Sequence, residues 1–294
     1  MQKSELHALG YGLTAVLLWS TVASVFKIGL QLTSIIALLT GACFFSVLAL
    51  SLILVCKKQW GKAIASLWQY RIFSIKLGLL NPVVYYLVLF EAYDRLPAQV
   101  AQPINYTWGI VLGLIAIPVL GKKITRYDIF GMILAYAGVF IISIAGKNMT
   151  GELDYFGVLL ALLSTGIWAG YWLVNMGDDR PPVIALFHNF LFALPVLVII
   201  ASLTGATFNY SYSAIASMAY IGLFEMGFTF ILWTLALQKT QYTARISSLI
   251  FLSPVISLFI IHKVLGEPLQ ISTFVGLSVI IAGLAVQQLK AVNK

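Results

Sequence analysis

Residues 265–283 read LGEPLQISTFVGLSVIIAG, and this stretch has a counterpart earlier in the chain. Residues 120–138, LGKKITRYDIFGMILAYAG, repeat its Leu-Gly start, its central glycine and its closing Ala-Gly pair at an offset of 145 residues (265 − 120 = 283 − 138). A constant offset between similar stretches indicates a duplicated unit. The sequence therefore predicts two repeats, residues 1–146 and residues 147–294.

The composition of the chain indicates which solvent surrounds it. Hydrophobic residues make up 61% of the 294 residues and charged residues 10%, with a mean hydropathy of +0.96. A soluble domain is about half apolar and about a quarter charged, so this chain cannot cover its surface with polar groups. Apolar runs of roughly 20 residues recur, the length that crosses a bilayer as an α-helix. A strand barrel would need shorter segments of alternating polarity, so we predict an all-α integral membrane protein.

Glycine, proline and charged residues divide the apolar sequence into ten predicted transmembrane helices, five in each repeat. Most connections between them, such as Lys57 to Arg71, are short, and none is long or polar enough for a separate soluble domain. The predicted helices are Leu6–Ile28, Thr33–Cys56, Ile72–Tyr93, Ala98–Leu120, Tyr127–Ala145, Tyr155–Asn175, Val183–Leu203, Ser213–Leu237, Tyr242–Val264 and Leu269–Leu289.

The basic residues predict how these helices are oriented. Cytoplasmic loops carry an excess of lysine and arginine, and with the N-terminus inside only Lys27, Arg95, Lys147 and Lys263 of the 18 fall on the opposite side. We therefore predict a protein of the inner membrane with both termini on the cytoplasmic side. Because the basic residues lie mostly at the ends of apolar runs, the formal charge of +8 does not indicate nucleic acid. The predicted cytoplasmic residues are Lys3, Lys57, Lys58, Lys62, Arg71, Lys76, Lys122, Lys123, Arg126, Arg180, Lys239, Arg245, Lys290 and Lys294.

An odd number of helices in each repeat makes the second copy enter the membrane from the opposite side. The loop before the fifth helix is basic, with Lys122 and Lys123, whereas its counterpart carries Lys263, Glu267 and Pro268 and is predicted to lie at the outer surface. Inverted repeats of this kind are used by many secondary transporters. A duplication without a transport role is the alternative, since channels and enzymes also arise by duplication.

Three short motifs occur in the order known from one family of membrane proteins. They are Leu18–Ser20 (Leu-Trp-Ser), Ile167–Ala169 (Ile-Trp-Ala), and Pro254 followed thirteen residues later by Glu267. With these motifs, essentially the whole chain resembles the drug/metabolite transporter superfamily, in particular its EamA-type members. The resemblance implies two five-helix repeats and the transport of a small organic metabolite.

Residues 102–108, QPINYTW, resemble the fourth helix of the aromatic amino acid exporters, in which Asn, Tyr and Trp precede a proline. Gly109 stands where the family usually has that proline, and Lys122 where it often has glutamate. The resemblance implies export and favours an amino acid or a similar amphipathic solute as the cargo. A drug, a nucleotide precursor or a lipid-linked group is the alternative cargo.

Glu225 is the least expected residue in a membrane helix. It lies in the middle of the eighth predicted helix, where a charged group costs at least about 2.5 to 3.5 kcal/mol. A local offset of 144 residues aligns Gly78 with Gly222 and Asn81 with Glu225 (222 − 78 = 225 − 81). We predict that both polar groups face one central cavity, where Glu225 contacts a substrate amino group or carries an exchangeable proton. A protonated glutamate bonded to a neighbouring helix is the alternative.

The third predicted helix contains a proline next to this polar position. Pro82 directly follows Asn81. Because proline lacks the backbone N–H that a helix uses, we predict that the helix is loosened or kinked at this point.

Aromatic and polar side chains within the spans form a second candidate group. Trp168, Tyr171, Trp172 and Asn175 recur at spacings of three and four, which puts them on one face of the sixth helix. On a cavity wall, such rings would stack on an apolar or planar solute and the amide would bind its polar end. Each residue alone is better explained by packing, whereas together we expect some of them to line a substrate route. The other members of the group are Trp19, Tyr85, Tyr86, Asn105, Tyr106 and Trp108.

His188 in the seventh helix either lines the cavity or forms an interhelical hydrogen bond. The three histidines lack HExxH spacing, and no glycine-rich phosphate loop follows a strand. We therefore predict no catalytic residue, metal or cofactor. The prediction is an exporter that works by alternating access, driven by a gradient of the substrate or of a coupled ion such as the proton. Its partners are a small-molecule substrate and the lipid bilayer, and a membrane enzyme or scaffold is the alternative from another class.

Overall fold

The computed structural model describes residues 3–119, 126–150, 152, 154–240, 246 and 248–292. Several residues used above lie outside this part of the chain: Leu120, Gly121, Lys122, Lys123, Ile124, Tyr242, Arg245 and Lys294. The described elements are all helical: α1 Lys3–Leu32, α2 Ile35–Cys56, α3 Trp60–Leu67, α4 Arg71–Gly78, a π-helix Leu79–Val84, α5 Tyr85–Arg95, α6 Ala98–Asn105, α7 Trp108–Val119, α8 Arg126–Thr150, α9 Tyr155–Asn175, α10 Pro182–Leu203, α11 Tyr212–Tyr220, a π-helix Ile221–Phe228, α12 Thr229–Lys239, a 3₁₀-helix Ser248–Phe251, α13 Leu252–Leu265 and α14 Ile271–Val292.

Six helical stretches of the described chain are long and apolar enough to cross a membrane. Three shorter apolar helices accompany them, Ile129–Ile144, Leu252–Leu265 and Ile271–Gly283. The chain is therefore a multi-pass membrane protein, and its described secondary structure is entirely helical. The six long stretches are Ser4–Leu32, Ile35–Cys56, Arg71–Arg95, Tyr155–Asn175, Pro182–Leu203 and Tyr212–Ala236.

Two predicted segments differ from the structure. The connection from Lys57 to Arg71 contains the helix α3, because its apolar residues recur at helical spacing. The predicted fourth helix is divided into α6 and α7. At the division, the Thr107 backbone N–H donates to the Ile104 carbonyl at 3.1 Å, three residues back, which makes a tighter turn than an α-helix.

Two of the spans leave regular α-helical geometry near their centres. In the third, Asn81 has extended backbone angles (φ −143°, ψ 114°) and precedes Pro82, which confirms the predicted kink. In the eighth, the π-helix Ile221–Phe228 carries Glu225. The two polar residues that the sequence aligned therefore both lie in irregular helix.

The chain divides into two compact units, and each unit takes segments from both sequence halves. Unit 1 consists of Met1–Leu87 and Asp178–Ile256. In it, α2 packs against α10, α11 and the second π-helix, while α1 packs against α11 and α12. Large apolar side chains such as Leu38 and Phe190 are fully buried among these helices.

Unit 2 consists of Val88–Gly177 and Ser257–Lys294. In it, α9 packs against α6 and α7, and α8 packs along α14. The contact between α8 and α14 brings together the glycines that marked the sequence repeat. A Cβ atom added to Gly138 would lie 2.5 Å from the Gly276 carbonyl oxygen, and one added to Gly283 would lie 2.5 Å from the Gly131 carbonyl oxygen.

This glycine contact is self-complementary. Gly131 corresponds to Gly276 and Gly138 to Gly283, since each pair is separated by the repeat offset of 145 residues (276 − 131 = 283 − 138). The contact of Gly138 with Gly276 therefore corresponds to the contact of Gly283 with Gly131. The two helices run antiparallel, since the later glycine of α8 meets the earlier glycine of α14. Small residues allow backbones to approach this closely in a membrane protein.

The close contact predicts the effect of adding one methyl group. Gly138→Ala should lower the free energy of unfolding by about 1 to 3 kcal/mol, because the added Cβ overlaps a backbone carbonyl that cannot move alone. Gly166→Ala in α9 is the control, since its Cβ would meet nothing within 4 Å. Thermal unfolding of the purified protein in detergent measures both variants. Equal midpoints for the two would contradict the contact.

Glu267 caps the N-terminus of α6. Its carboxylate accepts hydrogen bonds from the backbone N–H groups of Ala98 (2.8 Å) and Gln99 (3.1 Å). The N-cap residue itself, Pro97, makes no side-chain bond to the helix. The Gln99 side chain in turn donates to the carbonyl oxygens of Glu267 and Pro268. Glu267 thus accepts hydrogen bonds from backbone N–H groups that have no partner within the first turn of a helix. Its negative charge faces the positive end of the helix dipole.

Removing this cap should destabilise the protein. We expect Glu267→Ala to lower the free energy of unfolding by about 1 to 2 kcal/mol, and Glu267→Gln to lie between that variant and the wild type. Glu91→Ala is the control, because its pair with Arg95 is partly exposed and such pairs contribute little. Chemical denaturation in mixed micelles compares the three variants. A loss in Glu91→Ala as large as that in Glu267→Ala would refute the cap.

Candidate functional site

Glu225 is held by aromatic side chains in unit 1. The Tyr86 hydroxyl donates to Glu225 Oε1 at 2.9 Å, and the Trp19 side chain lies close enough to interact with the carboxyl group. Tyr86 is fully buried, whereas Glu225 and Trp19 keep part of their surface accessible. The carboxyl group is therefore held by the hydrogen bond from Tyr86 and keeps part of its surface accessible.

Two hydroxyl groups of α1, the helix that carries Trp19, are hydrogen-bonded to other helices of unit 1, and of these the sequence analysis named only Ser20, as part of its Leu-Trp-Ser motif. Thr21 Oγ1 and the Tyr220 hydroxyl are 2.6 Å apart, and Ser20 donates to Ser253 Oγ at 3.3 Å. The signal for two of them was their position, since Ser20 and Thr21 directly follow Trp19. Their partners are 233 and 199 residues away, so no local pattern identifies them.

Asn81 is fully buried in unit 1, and within the described chain neither its amide oxygen nor its amide nitrogen has a hydrogen-bond partner. A hydrogen bond from Asn81 to Glu225 is therefore not formed. Tyr85 is buried as well, and its ring packs edge-on against Tyr86 with the centroids 4.8 Å apart. Of these two candidates, Asn81 offers polar atoms and Tyr85 supports the ring that binds Glu225.

Four members of the predicted aromatic group pack together in unit 2, whereas Trp19 and Tyr85 belong to unit 1. Trp108 stacks on Trp172 with a centroid separation of 6.4 Å, and Trp168 stacks on Tyr171 at 5.3 Å. Trp168 also meets Trp108 and Trp172 edge-on, at 6.4 and 6.0 Å. Trp108 and Trp172 are partly accessible, while Trp168 and Tyr171 are buried. The two partly accessible rings, Trp108 and Trp172, thus pack against the buried ring of Trp168, which in turn stacks on Tyr171.

The polar members of that group lie at the ends of helices in unit 2. Asn105, the last residue of α6, donates from Nδ2 to Ser164 Oγ at 2.8 Å. Tyr106 follows it at the division between α6 and α7, and Asn175 is the last residue of α9. Tyr106 and Asn175 are partly accessible.

Arg180 is buried, although the sequence analysis counted it among the cytoplasmic charges. Its guanidinium group forms a two-atom salt bridge with Asp178, at 2.8 and 2.7 Å. It also donates to Ser74 Oγ at 2.5 Å and lies over the rings of Tyr70 and Phe73. The charge is therefore compensated inside unit 1 rather than by water.

His188 belongs to this network. Its Nδ1 lies 3.1 Å from Arg180 Nη1 and its Nε2 lies 2.9 Å from the Ala63 carbonyl oxygen. Because a guanidinium group only donates and a carbonyl only accepts, Nε2 carries the proton and Nδ1 accepts. His188 thus joins α10 to α3, and the geometry matches the interpretation as a hydrogen bond between helices.

The sequence is similar to known families and proteins of membrane transporters. The sequence model of the family described as EamA-like transporter family matches residues 7–144 and residues 155–287. The uncharacterized transporter YvbV of Bacillus subtilis (strain 168) is 27% identical over 218 residues, which cover 73% of this chain and 70% of that protein. The uncharacterized transporter in the sor 3'region of Acidianus ambivalens is 26% identical over 222 residues, covering 70% and 80%.

The fold has a counterpart among solved structures. A protein crystal structure superposes with a TM-score of 0.68 at 19% identity and covers 97% of this chain and 98% of its own. At this identity the likeness concerns the fold alone. The family match, in contrast, extends over most of the sequence in two ranges. The chain belongs to the EamA-like transporter family.

Proposed function

We propose that the chain is a secondary transporter that exports small organic metabolites by alternating access, with amino acids or similar amphipathic solutes as its cargo. The observation that carries the proposal is Glu225, a partly accessible carboxyl group within a membrane span that accepts a hydrogen bond from Tyr86 and interacts with Trp19. Membership of a transporter family supports it. Intramembrane acids typically mark the path of a substrate or a proton.

We further propose the predicted topology of ten helices in two inverted repeats, with both termini on the cytoplasmic side of the inner membrane. The two ranges of the family match, residues 7–144 and 155–287, support a duplication. The self-complementary contact between α8 and α14 supports it independently, because an axis of two-fold symmetry generates contacts of that kind.

The chemistry of Glu225 links the cargo to the driving force. An ionised carboxylate within a membrane span is costly, and either an ammonium group or a proton removes that cost. If one carboxyl group takes one of the two at a time, the amine of the cargo and the proton compete for it. Competition for one site converts a proton gradient into movement of the cargo in the opposite direction.

The aromatic rings of unit 2 support an amphipathic cargo. The stacked pair Trp108 and Trp172 is partly accessible and offers an apolar face. Apolar walls of this kind are typical of small-molecule sites.

Asn81 supports a polar cargo separately, within unit 1. Its two amide atoms have no hydrogen-bond partner in the described chain, and a polar group of the cargo can bind these.

Flux of radiolabelled amino acids into liposomes that contain the full-length chain tests the role of Glu225. With a proton gradient we expect accumulation by the wild type, and about a 10-fold or greater loss in Glu225→Gln, which cannot exchange a proton. Tyr86→Phe should raise KM by about 10-fold, because one hydrogen bond to the carboxyl group is lost. Glu91→Gln, an acid in a partly exposed pair, is the control.

The same assay distinguishes the outcomes. Normal, pH-dependent flux through Glu225→Gln would remove the coupling hypothesis. Flux of a different cargo, found with a panel of drugs and nucleotide precursors, would leave transport in place and replace the amino acid. No flux for any member of the panel, together with turnover of a lipid, would overturn transport in favour of a membrane enzyme.

A second prediction concerns the aromatic rings. Trp172→Leu should lower the flux of an aromatic amino acid about 5-fold to 10-fold more than that of a small aliphatic one, because a stacked ring contributes about 0.5 to 1.5 kcal/mol beyond its area. The comparison of two cargoes in one preparation corrects for differences in protein yield. Equal losses for both cargoes would assign Trp172 to packing.

A further inference from the structure

The helix α3 connects two membrane spans and has an unusual position. The span α2 ends at Cys56, α3 covers Trp60–Leu67, and the next span begins at Arg71. Only a few residues separate α3 from each span. Its place in the chain therefore keeps it at the boundary between the hydrocarbon and water, whatever else it contacts.

One side of α3 is fixed to unit 1. Ala63 is fully buried, and its carbonyl oxygen accepts the hydrogen bond from His188 Nε2 at 2.9 Å. Trp60 borders this side, because its ring also meets the Phe187 ring of α10, with the centroids 5.5 Å apart, while part of its surface stays exposed. These contacts determine which face of α3 turns outward.

The outward face is apolar. Trp60 and Ile64 of α3 and its C-cap residue Trp68, which keeps helical backbone angles, follow one another at intervals of four residues, so they lie on one side of the helix. They are exposed by 40%, 44% and 68%. Lys62 lies two residues after Trp60, about 200° around the helix, and points away from this stripe. An apolar stripe opposite a lysine is the pattern of a helix that lies in a membrane interface, where tryptophan is also enriched.

The charged residues that flank α3 in the sequence all have the same sign. Between residues 57 and 76 the sequence contains five lysines or arginines and no aspartate or glutamate. All five side chains are exposed, so none is used up in the core of unit 1. They are Lys57, Lys58, Lys62, Arg71 and Lys76.

We propose that α3 lies in the membrane interface and, with these five cations, binds the headgroups of anionic phospholipids. The apolar stripe Trp60, Ile64 and Trp68 enters the acyl region, and the cations contact the lipid phosphates. The lipid is the favoured occupant because two flanking spans keep α3 beside it and because the local charge is complementary. The proposal does not depend on the transported cargo.

Native mass spectrometry of the full-length chain in detergent tests the proposal. The protein is titrated with phosphatidylglycerol or phosphatidylcholine, and the dissociation constant of the first bound lipid is measured. We expect phosphatidylglycerol to bind at least about 10-fold more tightly, and each lysine removed to cost about 5-fold of that preference. Lys57→Gln/Lys62→Gln should therefore lose most of it, and added salt should reduce it in the wild type.

Lys239→Gln/Lys263→Gln is the matched control, since it removes two exposed lysines elsewhere in the chain. It should keep the wild-type preference, with the same thermal midpoint as the other double variant. A second test is Ile64→Ser/Trp68→Ser, which should weaken both lipids about equally. Equal phosphatidylglycerol preference in the two lysine variants would overturn the proposal. A change of Ile64→Ser/Trp68→Ser from dimer to monomer without any change in lipid binding would do the same, since the face would then bind a second copy.

Discussion

Every backbone N–H and C=O group inside a bilayer must find its hydrogen-bond partner within the protein, since no water is there to replace it. Regular helices satisfy this requirement by themselves, and most of the described spans are regular. Among the six long stretches, the exceptions are Asn81 with the π-helix Leu79–Val84, and the π-helix Ile221–Phe228. Irregular backbone is tolerated only where it is covered by protein or lines a cavity. The irregular segments of these spans therefore contain Asn81 and Glu225, the two polar residues that are least expected within a membrane helix.

The sequence predicts those features that depend on neighbours along the chain. α9 begins and ends at the predicted residues, and Pro82 marks the kink, because both follow from local composition. The partner of Glu225 is Tyr86, 139 residues away, and no local pattern connects the two. Arg180 is a second residue whose surroundings the sequence analysis did not predict. It was counted only as a charge on the cytoplasmic side, whereas its salt bridge with Asp178, two residues earlier, allows the side chain to be buried.

The contact of α8 with α14 explains physically why glycine occurs at corresponding positions of the two repeats. Each backbone requires space at the point where the other backbone passes, so a glycine on one helix meets a glycine on the other. In a self-complementary contact, one change in the ancestral unit alters the interface at two places. Selection for close approach would then retain glycine at corresponding places in both halves, whereas Gly166, which faces open space, has no such constraint.

The cap of α6 also has a consequence for biosynthesis. Ala98 and Gln99 leave the ribosome 169 and 168 residues before Glu267, which accepts their N–H groups. At a synthesis rate of 5 to 20 residues per second, this gap corresponds to roughly 10 to 30 seconds. During that interval, water or the insertion machinery must provide the acceptors. The start of α6 therefore reaches its final form only after most of the chain has been translated.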